Sequence, residues 1–468
     1  MSLFELTSPR PPRPWQLEAL REWAKHDHRG VIEAVTGAGK TMVGVHAIAR
    51  VLGLGGQALV LVPTVDLANQ WLEVVLAELG PGARPGLRAE GEQANTSSHQ
   101  LVISTVQSMF RRPLAPVLPF NVLVADEVHR LGADQFGQAL HPGWDWRLGL
   151  TGTWERPDGA HELVLAPYFG GVVFSLGYRQ AHSAGSIAPF DVHMVGVRLD
   201  EEGLESYQVL TGQMEHARNQ LRGMGALRGA GTTTGKIAGL THRGGVISKV
   251  AFGFMGAYAR RNRLLGTTRA KLDALGRLAP VIQGSQRTLV FAQTIDAVKD
   301  ATRTLAGHDV DVASLWGGMS KKDQRKKLLR GFAEGKPQCL CTPKILDEGI
   351  DVPAADVGIV MAASGSQRQM IQRMGRVIRP KDDGHRALFF ILYCIDTIED
   401  PAKRAHRDFL AQVRASGSPV YNHRMGGGQD WEQLLGQLAS GRPGAPMEQP
   451  AAGLQDDSGE DELVDDLQ

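Results

Sequence analysis

Cysteine is scarce in this chain of 468 residues, with only Cys339, Cys341 and Cys394 present. None has a second Cys or His pair at zinc-ligand spacing, and three thiols cannot close a disulfide framework. That excludes a zinc-organised or disulfide-stapled scaffold, and buried thiols in a reducing cytoplasm are expected. Long apolar runs are missing too. No stretch approaches the roughly 18 uninterrupted apolar residues of a membrane span. The opening MSLFELTSPRPPRPW lacks the apolar core of a signal peptide. No membrane association and a cytoplasmic location are expected. Aromatic residues make up 6% and do not interleave with basic ones as stacking platforms do. Trp71, Trp144, Trp146 and Trp316 are accordingly read as core residues.

Lys and Arg are absent from residues 456–468, which carry seven acids, Asp456, Asp457, Glu460, Asp461, Glu462, Asp465 and Asp466. The net charge of +1 therefore conceals a body of +8 ahead of a tail of −7. A mildly basic body suits a polyanionic partner, although enzymes of other kinds share that balance. The tail reads as a disordered solubilising end or as a nucleic-acid mimic over a basic groove.

At this length two globular domains and an insertion are expected. Val31–Val35, Ala58–Val62, Leu101–Ser104, Val122–Ala125 and Leu148–Leu150 are continuous apolar runs alternating with helical segments. Such runs mark strands buried on both faces, hence a parallel sheet between helices. A second series follows at Thr288–Phe291, Val310–Leu315, Gln338–Cys341, Val357–Met361 and Ala387–Leu392. The expected fold class is α/β, with domains at 1–195 and 273–420, an insertion at 196–272 and a tail at 421–468. Within the insertion, the Gly/Thr-rich residues 229–248 predict a loop.

Val31-Ile-Glu-Ala-Val-Thr-Gly-Ala-Gly-Lys-Thr41 reads as a strand entering a Gly-rich turn and then a helix. Glycines let successive backbone N–H groups converge on phosphate, and the helix aims its positive end at the same charge. Thr36, Gly37, Ala38 and Gly39 form the cradle of a Walker A loop for ATP. Lys40 reaches the β- and γ-phosphates, and the Thr41 hydroxyl ligates Mg²⁺. The strict pattern opens on glycine where this chain has Ala34. Val122–Ala125 then delivers two carboxylates at a strand end, where open α/β sheets bind ligands. Asp126 is expected to hold Mg²⁺ and Glu127 to activate the attacking water.

Asp126-Glu-Val-His129 resembles the DEAH-type box of superfamily 2 helicases, and its surroundings are similar to that superfamily's motifs in their order. Arg13-Pro-Trp-Gln16 resembles the adenine-reading segment, with Gln16 as the adenine contact. Pro63-Thr64 with Gln70-Trp71 resembles motif Ia, Ser104-Thr105-Val106-Gln107 a DNA-contacting turn, and Leu150-Thr-Gly-Thr153 the S/T-A-T motif with Gly152 for Ala. Gly317-Gly318, the stretch from Thr342 to Pro353, and Gln369–Arg379 resemble the second-domain series through motif VI. The resemblance implies two tandem RecA-like domains. It maps the nucleotide-sensing aspartate to Asp351 and the arginine fingers to Arg376 and Arg379, with Gln372 beside them. The spacing of Arg373, Arg376 and Arg379 also fits a solvated basic helix face.

Three stretches resemble the XPB-like family in particular: Leu150–Glu162, Arg260–Leu275 and Ala362–Pro380. In the first, Arg156 and Asp158 match the outer positions of an R-E-D element and Pro157 replaces its Glu. Residues before Arg13 are too few for that family's N-terminal damage-recognition domain, and residues 196–272 take the place of its thumb. The resemblance implies an ATP- and Mg²⁺-dependent DNA helicase or translocase moving 3′ to 5′, with a part in DNA repair. Thr64, Thr105, Arg156, Gly318 and Thr342 become candidate nucleic-acid contacts. Arg260, Arg261, Arg263, Arg269 and Lys271 either add phosphate affinity or form a solvated face; the cluster Lys321, Lys322, Arg325, Lys326 and Lys327 is read as a surface helix. A monomer is expected, with a nuclease as a possible protein partner. A translocase in phage defence or restriction and an RNA-directed helicase stay open, whereas the intact Lys40, Asp126, Glu127, Arg376 and Arg379 argue against a non-hydrolysing ATP switch.

Overall fold

The computed structural model describes residues 8–132, 136–155, 159, 161–227, 233–316, 322–343, 355–361, 370, 374–375, 377 and 386–440. Arg156, Gly318, Asp351, Gln372, Arg376, Arg379 and the tail from 441 lie outside them.

Two parallel sheets of seven strands each carry the fold. The first holds β1 (Arg29–Ala34), β2 (Gln57–Val62), β3 (Gly86–Arg88), β4 (Leu101–Thr105), β5 (Asn121–Asp126), β6 (Trp146–Thr151) and β7 (Val172–Leu176), in the order β3-β4-β2-β5-β6-β1-β7. β2, β4 and β5 are buried at every residue, as their unbroken apolar runs require. Trp144 and Phe169 are fully buried in the core against Leu59, Val102 and Leu123. The Trp144 indole donates to Leu114 O (3.0 Å), and Trp146 stacks on His28 with ring centroids 3.7 Å apart.

The second sheet comprises β8 (Phe190–Val197), β9 (Thr288–Ala292), β10 (Val312–Ser314), β11 (Cys339–Pro343), β12 (Val357–Val360), β13 (Ala387–Cys394) and β14 (Val420–Arg424), ordered β10-β11-β9-β12-β13-β8-β14. It corrects two expected boundaries. The first unit ends at Ile187, not 195, because β8 pairs with β13 along eight residues. β14 pairs with β8 in turn and helix Gly428–Ser440 follows it, so the second unit runs past 420. Cys339, Cys341 and Cys394 are buried free thiols with no disulfide among them. Burial pushes the Cys394 thiol up to about 12, which keeps it an inert thiol at neutral pH.

The insertion is a helical hairpin. Asp200 Oδ1 accepts from Gly203 N (2.8 Å) and starts helix Glu201–Gly223, which packs along helix Gly245–Thr267. Thr233–Leu240, expected as loop, is helical because Ile237 and Leu240 fall three apart and bury against Met214, Leu221 and Phe254. Two of the basic residues read as surface are internal. Arg261 is 1% exposed and Lys271 is fully buried, with its ammonium 2.6 Å from Glu399 Oε2. Arg260, Arg263 and Arg269 remain exposed. Among the described residues, no helix is long and apolar enough to cross a membrane.

Candidate active site

β1, β6 and β5 are neighbours in the first sheet and parallel, so their C-terminal ends bring three segments to one edge. Past β1 the chain turns through Gly37 (φ 85°) and Gly39 (φ 98°), left-handed conformations that glycine adopts without penalty. Gly39 then caps helix Lys40–Gly53. Lys40 Nζ folds back to donate to Ala34 O (2.7 Å) and Val35 O (3.4 Å). Burial lowers its pKa, opposed by the charges of Glu127, Asp126 and Glu33. Thr41 is half-buried one residue further on.

Asp126 closes β5 and is 7% exposed. Its Oδ1 accepts from Glu127 N and its Oδ2 from Trp71 Nε1, both at 2.9 Å. Burial, and then the charge of Glu127, push its carboxyl up to about 6 against the pull of Trp71 and Lys40. Glu127 has φ 50°, left-handed strain of a kind that concentrates at functional sites. Its Oε2 is buried and accepts no hydrogen bond, although His129 Nδ1 stands 3.4 Å away. A carboxylate oxygen kept without a donor fits a general base that receives its hydrogen bond from water. With Lys40 and the Thr41 hydroxyl, this all-oxygen donor set beside a cation fits a Mg²⁺-bound nucleoside triphosphate.

Past β6, Thr151 Oγ1 donates to Thr153 O (2.7 Å). That spends its proton, so the 3.0 Å contact with His129 Nδ1 has the imidazole as donor. A Cβ at Gly152 would stand 3.2 Å from Thr36 Cγ2 and 3.8 Å from Lys40 Nζ, so this turn lies on the phosphate loop. Two residues that local sequence reading passed over tie the segment down. Glu33, a lone carboxylate in apolar β1, accepts from Trp154 N (2.8 Å) and Ser175 Oγ (3.2 Å). Tyr178 is buried beside Thr36, and burial raises its phenol. The signal for Glu33 was its isolation inside a buried strand; Tyr178 left none.

Arg13 and Gln16 sit on the same loop. Arg13 N donates to Gln16 Oε1 (2.8 Å), Gln16 Nε2 to Gly39 O (2.9 Å) and Arg13 Nη1 to Ala38 O (3.2 Å). Of the candidate nucleic-acid contacts, Thr64 is half-buried and caps helix Val65–Leu79, accepting from Leu67 N (3.2 Å). Thr105 is 4% exposed and caps Val106–Arg111 through Ser108 N (3.4 Å). Thr342 is 1% exposed and donates to Pro343 O (3.2 Å).

Residues 10–156 match the family model of the type III restriction enzyme res subunit, and residues 270–381 that of the helicase conserved C-terminal domain. The DNA 3′-5′ translocase XPB2 of Sulfurisphaera tokodaii is 30% identical over 379 residues, 79% of this chain and 79% of that one. The chain belongs to the XPB-like family of superfamily 2 helicases. Within that family, the DNA 3′-5′ helicase XPB of Mycobacterium tuberculosis is 27% identical over 413 residues, 85% of this chain but 64% of its own, so this chain spans under two thirds of that relative. In fold, the XPB-like chain resembles S. cerevisiae Dbp5 bound to RNA and ADP BeF3, with a TM-score of 0.59 and 16% identity over 93% of this chain and 94% of that one.

Proposed function

We propose that this XPB-like protein hydrolyses ATP to move 3′ to 5′ along DNA and to open the duplex. What carries the reading is Asp126-Glu127 set beside Lys40 at one sheet edge, in a chain 30% identical to a protein named as a DNA 3′-5′ translocase. Arg13 and Gln16 frame the adenine. Thr36, Gly37, Ala38 and Gly39 cradle the phosphates, and Lys40 offsets their charge. Thr41 and Asp126 hold Mg²⁺, whose part is to neutralise phosphate charge. Glu127 orients and deprotonates the attacking water, while the contact of His129 with Thr151 relays the state of the site to the segment after β6. By family resemblance, Asp351 senses nucleotide and Gln372, Arg376 and Arg379 supply transition-state charge. Thr64, Arg156 and Gly318 are proposed to contact the DNA backbone and read no sequence, whereas Thr105 and Thr342 are buried with their hydroxyls engaged within the fold and take no part in it. The match of residues 10–156 to a restriction-enzyme subunit favours, as a second reading, translocation without strand separation.

The test is ATP turnover with no polynucleotide, single-stranded DNA, duplex DNA and RNA. Stimulation by DNA is expected, whereas stimulation by RNA alone would contradict the reading. The same assay carries a pH prediction. kcat/KM reports the unliganded enzyme, in which the Asp126 carboxyl titrates near 6. Above that pH the group is ionised and able to hold Mg²⁺; below it the group is protonated. The acid limb of kcat/KM is therefore expected near pH 6, and a plateau reaching down to pH 4.5 in protein still folded by circular dichroism would contradict it.

A further inference from the structure

Trp71 reads from sequence as a core residue, and by burial it is one, at 0% exposed. Its hydrogen bond is of another kind. Trp23 and Trp144, buried in the same unit, satisfy their indole N–H groups on backbone carbonyls, those of Arg147 and Leu114, each at 3.0 Å. Trp71 instead donates to Asp126 Oδ2 at 2.9 Å, across 55 residues of chain. An indole N–H donates and never accepts, so this bond exists only while that oxygen is an acceptor.

The ring itself has little freedom. A Cβ at Gly44 would meet Trp71 Cη2 at 2.7 Å and Val124 Cγ1 at 3.0 Å. Gly44 lies on the helix that starts at Lys40, and Val124 lies two residues before Asp126. The indole is thus wedged between the phosphate-loop helix and the acid-bearing strand, in the space a side chain at 44 would need. An aspartate carboxylate turns in a broad, two-fold torsional well. Here one oxygen is held by Glu127 N and the other by the indole, and the two donors set the plane of the group.

We propose that Trp71 is a positioning residue for ATP hydrolysis, its indole N–H holding the Asp126 carboxylate in the orientation that Mg²⁺-nucleotide requires. This rests on the ATP-site reading above. It assigns the helix Val65–Leu79 a part in the chemistry beyond packing, because the group that orients the metal-binding carboxylate is carried on it.

Two variants test it. Trp71→Phe removes the donor with some loss of bulk, and replacement of Trp71 by 3-benzothienylalanine keeps the bicyclic shape with sulfur in place of N–H. Each is saturated with a fluorescent ADP analogue and titrated with Mg²⁺, a binding measurement independent of turnover. The half-saturating Mg²⁺ concentration is expected to rise about ten-fold in both, the size of one hydrogen bond to a charged group. Nucleotide affinity in EDTA should stay unchanged. In an Asp126→Asn background the same replacements should add nothing, as for residues acting through one contact. Should the Phe variant fold poorly, the isosteric one decides. An isostere with the wild-type Mg²⁺ response would overturn the proposal alone. Wild-type protein lacking any Mg²⁺-dependent nucleotide binding would overturn the ATP-site reading and this proposal with it.

Discussion

Glu127→Gln is expected to lower DNA-stimulated ATP turnover by about 10²–10⁴-fold, the contribution of a positioned general base, while ATP binding is retained. The reason lies in how the two acids divide the work. Asp126 has both oxygens engaged, by Trp71 Nε1 and by Glu127 N, which suits a fixed metal-binding group. Glu127 keeps its Oε2 buried and without a hydrogen-bond donor, on a backbone held at φ 50°. A side-chain amide in its place would keep the shape and lose the proton acceptor. Turnover and nucleotide binding measured side by side check this: loss of both would place Glu127 in binding, and loss of neither would remove it from the chemistry.

Lys271→Met is expected to destabilise the second unit by about 3–5 kcal/mol, the cost of leaving a buried charge unpaired. Lys271 and Glu399 are 0% and 2% exposed at the side chain and 2.6 Å apart. Glu399 Oε2 also accepts from Cys394 N (3.1 Å) at the end of β13, so a stranded carboxylate would disturb the strand pair β13–β8. Substituting both, Lys271→Met with Glu399→Leu, should recover most of the loss, because two apolar groups replace two desolvated charges. Thermal melts of the three proteins decide it. A single variant melting with the wild type would mean that the pair contributes nothing.

The strands of the nucleotide-binding unit were legible because each is a short run buried on both faces, and the Gly37–Lys40 turn and the two acids fall at strand ends where such sheets bind ligands. β8 was not, although Phe190–Val197 is buried at every residue, because Asp191 and His193 interrupt its apolar run. Its partners, β13 and β14, lie some two hundred residues downstream, and local pattern does not reveal register. The same limit hid Trp71 and Lys271. A tryptophan in an apolar helix looks like packing until its indole is seen on a carboxylate, and a lysine in a basic segment looks solvated until its partner arrives 128 residues later. Thr233–Leu240 was misread for a compositional reason. Gly and Thr suggest a turn, but two apolar residues three apart were enough to bury one helical face.

The most direct test of the motor reading is displacement of a third strand from duplex DNA. The protein is incubated with ATP and a duplex bearing a triplex-forming oligonucleotide downstream, with Glu127→Gln protein in parallel. The expected result is third-strand release that requires ATP hydrolysis and fails with the variant. ATP turnover stimulated by duplex DNA with no third-strand release would contradict a motor that moves along DNA.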